Sequence, residues 1–141
     1  MNIAELLARI PYLEPHRLEV TPGRAQVHMP GREQLMNHVG IVHAGALYTA
    51  AETAAGIAAM DVVGDQRAVV LLRSANVRYT RRATGPVLAT ATVDLGRAQA
   101  ARQAFLAVAR ADVTVTVVAD CEGEPVLEGT FDYALRPRRE T

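Results

Sequence analysis

Cysteine, tryptophan and surplus charge are the scarce features of this 141-residue chain: it has one Cys, no Trp and fifteen basic residues against fifteen acidic ones. A lone thiol, Cys121, cannot close an internal disulfide, so a reducing cytosol is the expected setting. Nor can it supply the paired cysteines of a structural zinc site. A net charge of zero leaves no global field to draw in nucleic acid or an anionic membrane, and neither is expected as a partner. Long apolar runs are missing too. The least polar stretch, 44–60, is mostly alanine and is interrupted by Glu52, which makes it short and only mildly apolar for a membrane span. The first residues carry Glu5 and lack a basic lead and a small-residue cleavage site, so they do not read as a secretory signal. No glycine-rich phosphate loop, repeat or low-complexity tract is present.

What is present is apolar enough for one core. Half of the residues are hydrophobic, and the length suits a single domain over 1–141. Ile3, Leu6, Leu7 and Ile10 predict a short amphipathic helix within 1–10. Alternation of Ala25, Val27 and Met29 with Arg24, Gln26 and His28 predicts a half-buried strand over 18–29, stopped by Pro30 and Gly31. Residues 44–60 are good helix formers without proline, giving a helix of roughly 25 Å. Four strands follow at 68–79, 87–95, 112–119 and 125–135, separated by turn chemistry at Thr84-Gly85-Pro86 and Glu122-Gly123-Glu124-Pro125. Residues 97–109 read as a helix with Ala98, Ala101, Phe105 and Val108 on one stripe, or else as a strand extension. Residues 137–141 are expected to form a flexible tail. Short connections favour antiparallel pairing, so the fold class is α+β: an antiparallel sheet around one long central helix.

That helix shows no charged face. Glu52 is its one carboxylate within 44–60, and Tyr48 adds a phenol. Most of its surface must be covered by the sheet or by a partner, and an ionised carboxylate in such surroundings needs partners or a cavity. Glu52 is therefore expected to line a site, with a solvent-facing position or an arginine partner as the plain alternatives. Just before the helix stand Asn37, His38, Gly40, His43 and Gly45. A helix N-terminus offers unpaired N–H groups and a positive dipole end that suit an oxygen gaining negative charge during acyl transfer. His43 and Glu52 are nine residues apart, roughly 13 Å along a helix, so one chain does not bring them together. Two antiparallel copies of the helix about a two-fold axis would do so, and a shared site in a homodimer is expected.

The pattern Asn37-x-x-Gly40-x-x-His43-Ala44-Gly45, followed by Ala51-Glu52-Thr53-Ala54, resembles the signature of hotdog-fold acyl-CoA thioesterases, most closely the phenylacetate-degradation (PaaI-like) type. Residues 76–91 and the Asp120-x-x-Gly123-x-x-Val126 hairpin are similar as well. The resemblance implies a hotdog fold, dimers that often pair into tetramers, and hydrolysis of a coenzyme A thioester, with coenzyme A as part of the substrate and no separate cofactor. It has His-Ala-Gly where relatives commonly have His-Gly-Gly, and glutamate where many have aspartate. On this reading Glu52 acts as general base or nucleophile, Gly45 and Asn37 face the carbonyl oxygen, and His43 orients the loop or the water.

Other assignments compete. Arg81, Arg82 and Arg97 are candidates for the coenzyme A phosphates, with solvated charge as the alternative. Glu33, His38 and His43 fit no zinc spacing. Ser74 lacks a nucleophile elbow and Cys121 precedes a turn, so neither reads as a nucleophile. Leu47, Tyr48, Leu71 and Leu72 are either pocket wall or core. A hotdog enoyl-thioester hydratase or dehydratase and a non-catalytic acyl-CoA-binding module are the alternative functions.

Overall fold

The protein is described by a computed structural model covering residues 2–64 and 68–139. The chain starts with α1 (Ile3–Ala8), capped by the Asn2 side chain, which accepts from Glu5 N. A 3₁₀ turn over Pro11–His16 follows. The strand expected over 18–29 is two strands, β1 (Glu19–Val20) and β2 (Gln26–Met29). Thr21-Pro22-Gly23 breaks it: the Thr21 N–H donates to Gln26 O across the turn, and Gly23 takes a positive φ, which proline followed by glycine favours.

The long helix, α2 (Ala44–Val63), runs three residues past its expected end. At 1.5 Å per residue it is about 30 Å long. Gly64 ends it in the left-handed region at φ 74°, its N–H bonding Met60 O, and the Arg102 guanidinium donates to the Val63 carbonyl. A cation on the last carbonyls complements the negative end of the helix.

Next come β3 (Ala68–Tyr79), β4 (Val87–Thr92), α3 (Leu95–Val108), β5 (Ala111–Cys121) and β6 (Glu124–Pro137). β4 ends before residue 95 because Asp94 caps α3, its carboxylate accepting from Arg97 N at 3.0 Å. The helical alternative for 97–109 is thus the one observed, with the start moved to Leu95 and the end at Val108, Ala109 being its left-handed cap. The stripe is shorter than expected: Ala101 and Phe105 are buried, but Val108 is 70% exposed. β6 carries the chain through Pro137, so the tail begins at Arg138; residues 140 and 141 lie outside the described residues.

Among the described residues the strands form one antiparallel sheet in the order β1-β2-β4-β5-β6-β3. β5 alternates cleanly, with Val113, Val115, Val117 and Ala119 buried and Thr114 and Thr116 on the outer face. The sheet wraps α2, which packs on β2, β3, β4, β5 and β6. Ala50, Ala51, Ala54, Ala55 and Ala59 are fully buried in that contact, their small side chains allowing close approach. This is the hotdog fold. At one edge β3 pairs with β6 alone.

Candidate active site

The sheet leaves one stripe of α2 partly open: Tyr48, Glu52, Gly56 and Met60, spaced four residues apart and hence on one helix face. They floor a cavity of about 460 Å³ whose walls come from α1 and the Pro11–His16 turn on one side and from Val70, Leu71 and Leu72 of β3 on the other. The pocket alternative for Tyr48, Leu71 and Leu72 is therefore the one observed, whereas Leu47, 3% exposed, is a core residue that borders a second cavity near Asn37. Glu52 is half-buried rather than hidden. Its carboxylate is exposed to the cavity and held by neither arginine nor bulk water alone: the Tyr133 hydroxyl donates to Oε2 at 2.6 Å, with the Glu52 carbonyl oxygen 3.2 Å away.

Tyr133, on β6, is 2% exposed. Burial, then the hydrogen bond and the negative charge of Glu52, push its phenol far above the ordinary tyrosine value. It stays a donor at any working pH. Burial and Glu52 also raise Tyr48, whose ring lies 5.7 Å from Phe131. Sequence reasoning missed Tyr133. Its signal was parity: Phe131, Tyr133 and Leu135 all face inward on β6, and a buried tyrosine hydroxyl needs a polar partner.

At the amino end of α2 the geometry is different. His43 is the N-cap, and its Nδ1 accepts from Gly45 N at 2.8 Å, so the amide expected to meet a substrate oxygen already has an intramolecular acceptor. Asn37 Oδ1 accepts from Val39 N at 3.0 Å and Ile41 N at 3.2 Å, an Asx-type turn that shapes the loop. Asn37 also borders a second cavity, of about 330 Å³, with Ala44, Tyr79, Arg81 and Arg82 around it. Tyr79 Oη donates to Ala44 O at 3.1 Å and fixes one wall. Arg97 sits exposed in the first turn of α3 and borders neither cavity.

The expected residues therefore fall into two groups. Asn37, Arg81 and Arg82 meet around the second cavity beside His43 and Gly45, while Glu52 stands about 10 Å further along the helix axis than Gly45. Ser74 lies on the outer sheet face, donating to Asp132 Oδ2 at 2.7 Å, and Cys121 is buried. Among the described residues no three His, Cys, Asp or Glu side chains gather closely enough to hold a metal ion, and no helix is long and apolar enough to cross a membrane.

The family described as "Domain of unknown function (DUF4442)" matches residues 4–135. The chain is similar to the solved structure of PA5026 from Pseudomonas aeruginosa, described as a protein of unknown function and probable thioesterase, with 28% identity and a TM-score of 0.78, covering 92% of this chain and 89% of that one. A second structure, APC5556, is 30% identical with a TM-score of 0.71, covering 98% of this chain and 92% of that one. The BH2602 protein of Bacillus halodurans, crystallised with CoA, shares the fold at 19% identity and a TM-score of 0.70, covering 94% of this chain and 82% of that one. No curated protein matches.

Proposed function

This chain belongs to the DUF4442 family, and we propose that it is a thioesterase hydrolysing an acyl-coenzyme A at a site shared between two protomers. The observation that carries the reading is the Glu52 carboxylate, fixed by Tyr133 at 2.6 Å as the one charged group, among the described residues, in a mostly apolar cavity. An acid kept among apolar groups costs desolvation, and a carboxylate positioned there beside open space suits proton transfer. The likeness to a probable thioesterase at 28% identity and the CoA bound by a structural neighbour support the same class.

In the proposed mechanism Glu52 is the general base. Tyr133 occupies Oε2, which leaves Oε1 to take a proton from water as the water oxygen attacks the thioester carbon. The tetrahedral oxyanion then collapses, the C–S bond breaks, and coenzyme A leaves as a thiolate that takes up the proton. Homodimer formation supplies the oxyanion site: antiparallel α2 helices bring the partner's Gly45 toward Glu52. The carbonyl oxygen replaces His43 Nδ1 on that amide, and the freed imidazole and Asn37 border the water. The single-sided pairing of β3 and the exposure of Leu71 and Tyr79, 50% and 48%, support a second copy against that edge; two such dimers pairing as a tetramer extend the same proposal. Arg81 and Arg82, at the second cavity, are the proposed contacts for the coenzyme A phosphates; no observation places Arg97 with them.

Thiol release from a series of acyl-CoA substrates tests this reading. Wild type should turn over at least one of them and Glu52→Gln should not; equal rates would remove Glu52 from the mechanism. One turnover in ¹⁸O-water should label the released acid and leave Glu52 unlabelled, since a nucleophilic carboxylate would carry the label itself.

A further inference from the structure

The cavity extends beyond what a thioester alone requires. From Glu52 its floor continues past Gly56 to Met60, eight residues or about 12 Å along α2. Among the described residues that line it, Glu52 is the one charged side chain. The opposite wall is Leu6, Leu7, Ile10 and Leu13. Leu6, Leu7 and Leu13 are only partly buried and Ile10 is 40% exposed, so the protein's own core does not fully cover these apolar groups. Tyr12 Oη lies 3.2 Å from Thr49 Oγ1 and pins the segment to α2 across the hollow. An apolar surface held open over a second apolar surface suits an apolar ligand between them.

Gly56 sharpens the shape. A Cβ there would stand 3.6 Å from Glu52 Oε2 and 3.8 Å from Tyr133 Oη, ordinary contact distances, so packing does not demand glycine. Glycine inside a helix is otherwise disfavoured. The missing methyl leaves room beside the carboxylate for an acyl chain to pass toward Met60.

We infer that the cavity takes a straight aliphatic acyl chain of medium length, its carbonyl at Glu52 and its tail running past Gly56 toward Met60; this rests on the thioester reading above. An extended chain advances about 1.2 Å per bond, one third of the roughly 3.5 Å spanned by three backbone bonds. The floor thus holds about ten carbons. Each methylene buried along it raises kcat/KM by about fourfold until the floor ends. A phenylacetyl group stops short of Met60 and leaves the far wall unfilled, and an acetyl group barely enters.

The test measures thiol release from straight-chain acyl-CoAs of two to sixteen carbons and from phenylacetyl-CoA, and calorimetric binding of decanoyl-CoA and acetyl-CoA to Glu52→Gln, which does not turn over. Activity should peak at eight to twelve carbons, and decanoyl-CoA should bind the variant at least tenfold tighter than acetyl-CoA. Met60→Phe should shorten the preferred chain by two or more carbons. Leu6→Glu, on a helix with no buried residue, should cut decanoyl-CoA binding at least tenfold with the melting temperature retained. Turnover that favours acetyl- or phenylacetyl-CoA, or ignores chain length, overturns the inference and leaves the thioesterase reading standing. Tight, Leu6-dependent decanoyl-CoA binding without turnover does the reverse. Neither turnover nor a preference for decanoyl-CoA overturns both.

Discussion

The two faces of α2 are built from different residues and are used in opposite ways. Toward the sheet, Ala50, Ala51, Ala54, Ala55 and Ala59 are sealed at 0% exposure, and the helix's two buried polar residues, Thr49 and Thr53, line the cavity instead. On the other side Tyr48, Glu52, Gly56 and Met60 border a cavity. The sheet face is a packing surface, where any added volume must be accommodated by displaced strands. The open face keeps space that a methyl group could occupy without collision at Gly56. Position on the helix circumference decides which small residue is used, alanine where the sheet packs and glycine where room is left.

Substitutions on the two faces should therefore separate stability from activity. The largest effect expected is on the open face: Glu52→Gln should lower kcat by about 10²- to 10⁴-fold, the range for loss of a positioned general base, with the melting temperature nearly unchanged. Thiol release and calorimetry on one preparation check both halves, and a large loss of stability would place Glu52 with the packing residues. On the sealed face, Ala55→Leu should destabilise by about 1–3 kcal/mol through overpacking, read as a lower denaturation midpoint in urea. Tyr133→Phe bridges the faces. Loss of its bond to Glu52 should cost about 1 kcal/mol and depress kcat more than it raises KM.

The phenols give the comparison a pH dependence. Tyr133, Tyr48 and Tyr79 are all raised by burial, so above about pH 10 the unfolded chain loses protons that the folded chain keeps. Their contribution is fully present below that pH and is lost as pH rises beyond it. Alkaline denaturation should steepen from about pH 10, and Tyr133→Phe should remove about one proton from the slope. The smallest effect is expected at Gly56→Ala, which should stabilise the fold by about 0.5–1 kcal/mol through the helix propensity of alanine. If it instead destabilises, Gly56 belongs to packing and the contrast between the faces fails there.

Much of the fold could be read from the sequence because it depends on local, periodic signals. The alanine-rich run at 44–60 and the Val-Thr alternation at 113–117 marked α2 and β5 before any contact was known. The break at Thr21-Pro22-Gly23 was missed because alternation at Val27 and Met29 outweighed the turn residues. Val108 was placed on the buried stripe of α3 because spacing alone says nothing of how far a neighbouring strand reaches. Glu52 was found because a charge among alanines is conspicuous. Tyr133 was not, since its partner lies 81 residues away in sequence, and only the sheet register brings the two side chains together. The bond from Gly45 N to His43 Nδ1 escaped for the opposite reason: the cap is so local that a histidine assigned to catalysis was not also read as the residue closing its own helix.

Alanine has no side-chain torsion to rearrange, so the sealed face of α2 can neither adjust to a new ligand nor transmit a change from one. Adaptation of this scaffold to a different acyl group would have to proceed through the open stripe at Met60, the first thirteen residues and β3, with the sealed face of the central rod inherited unaltered.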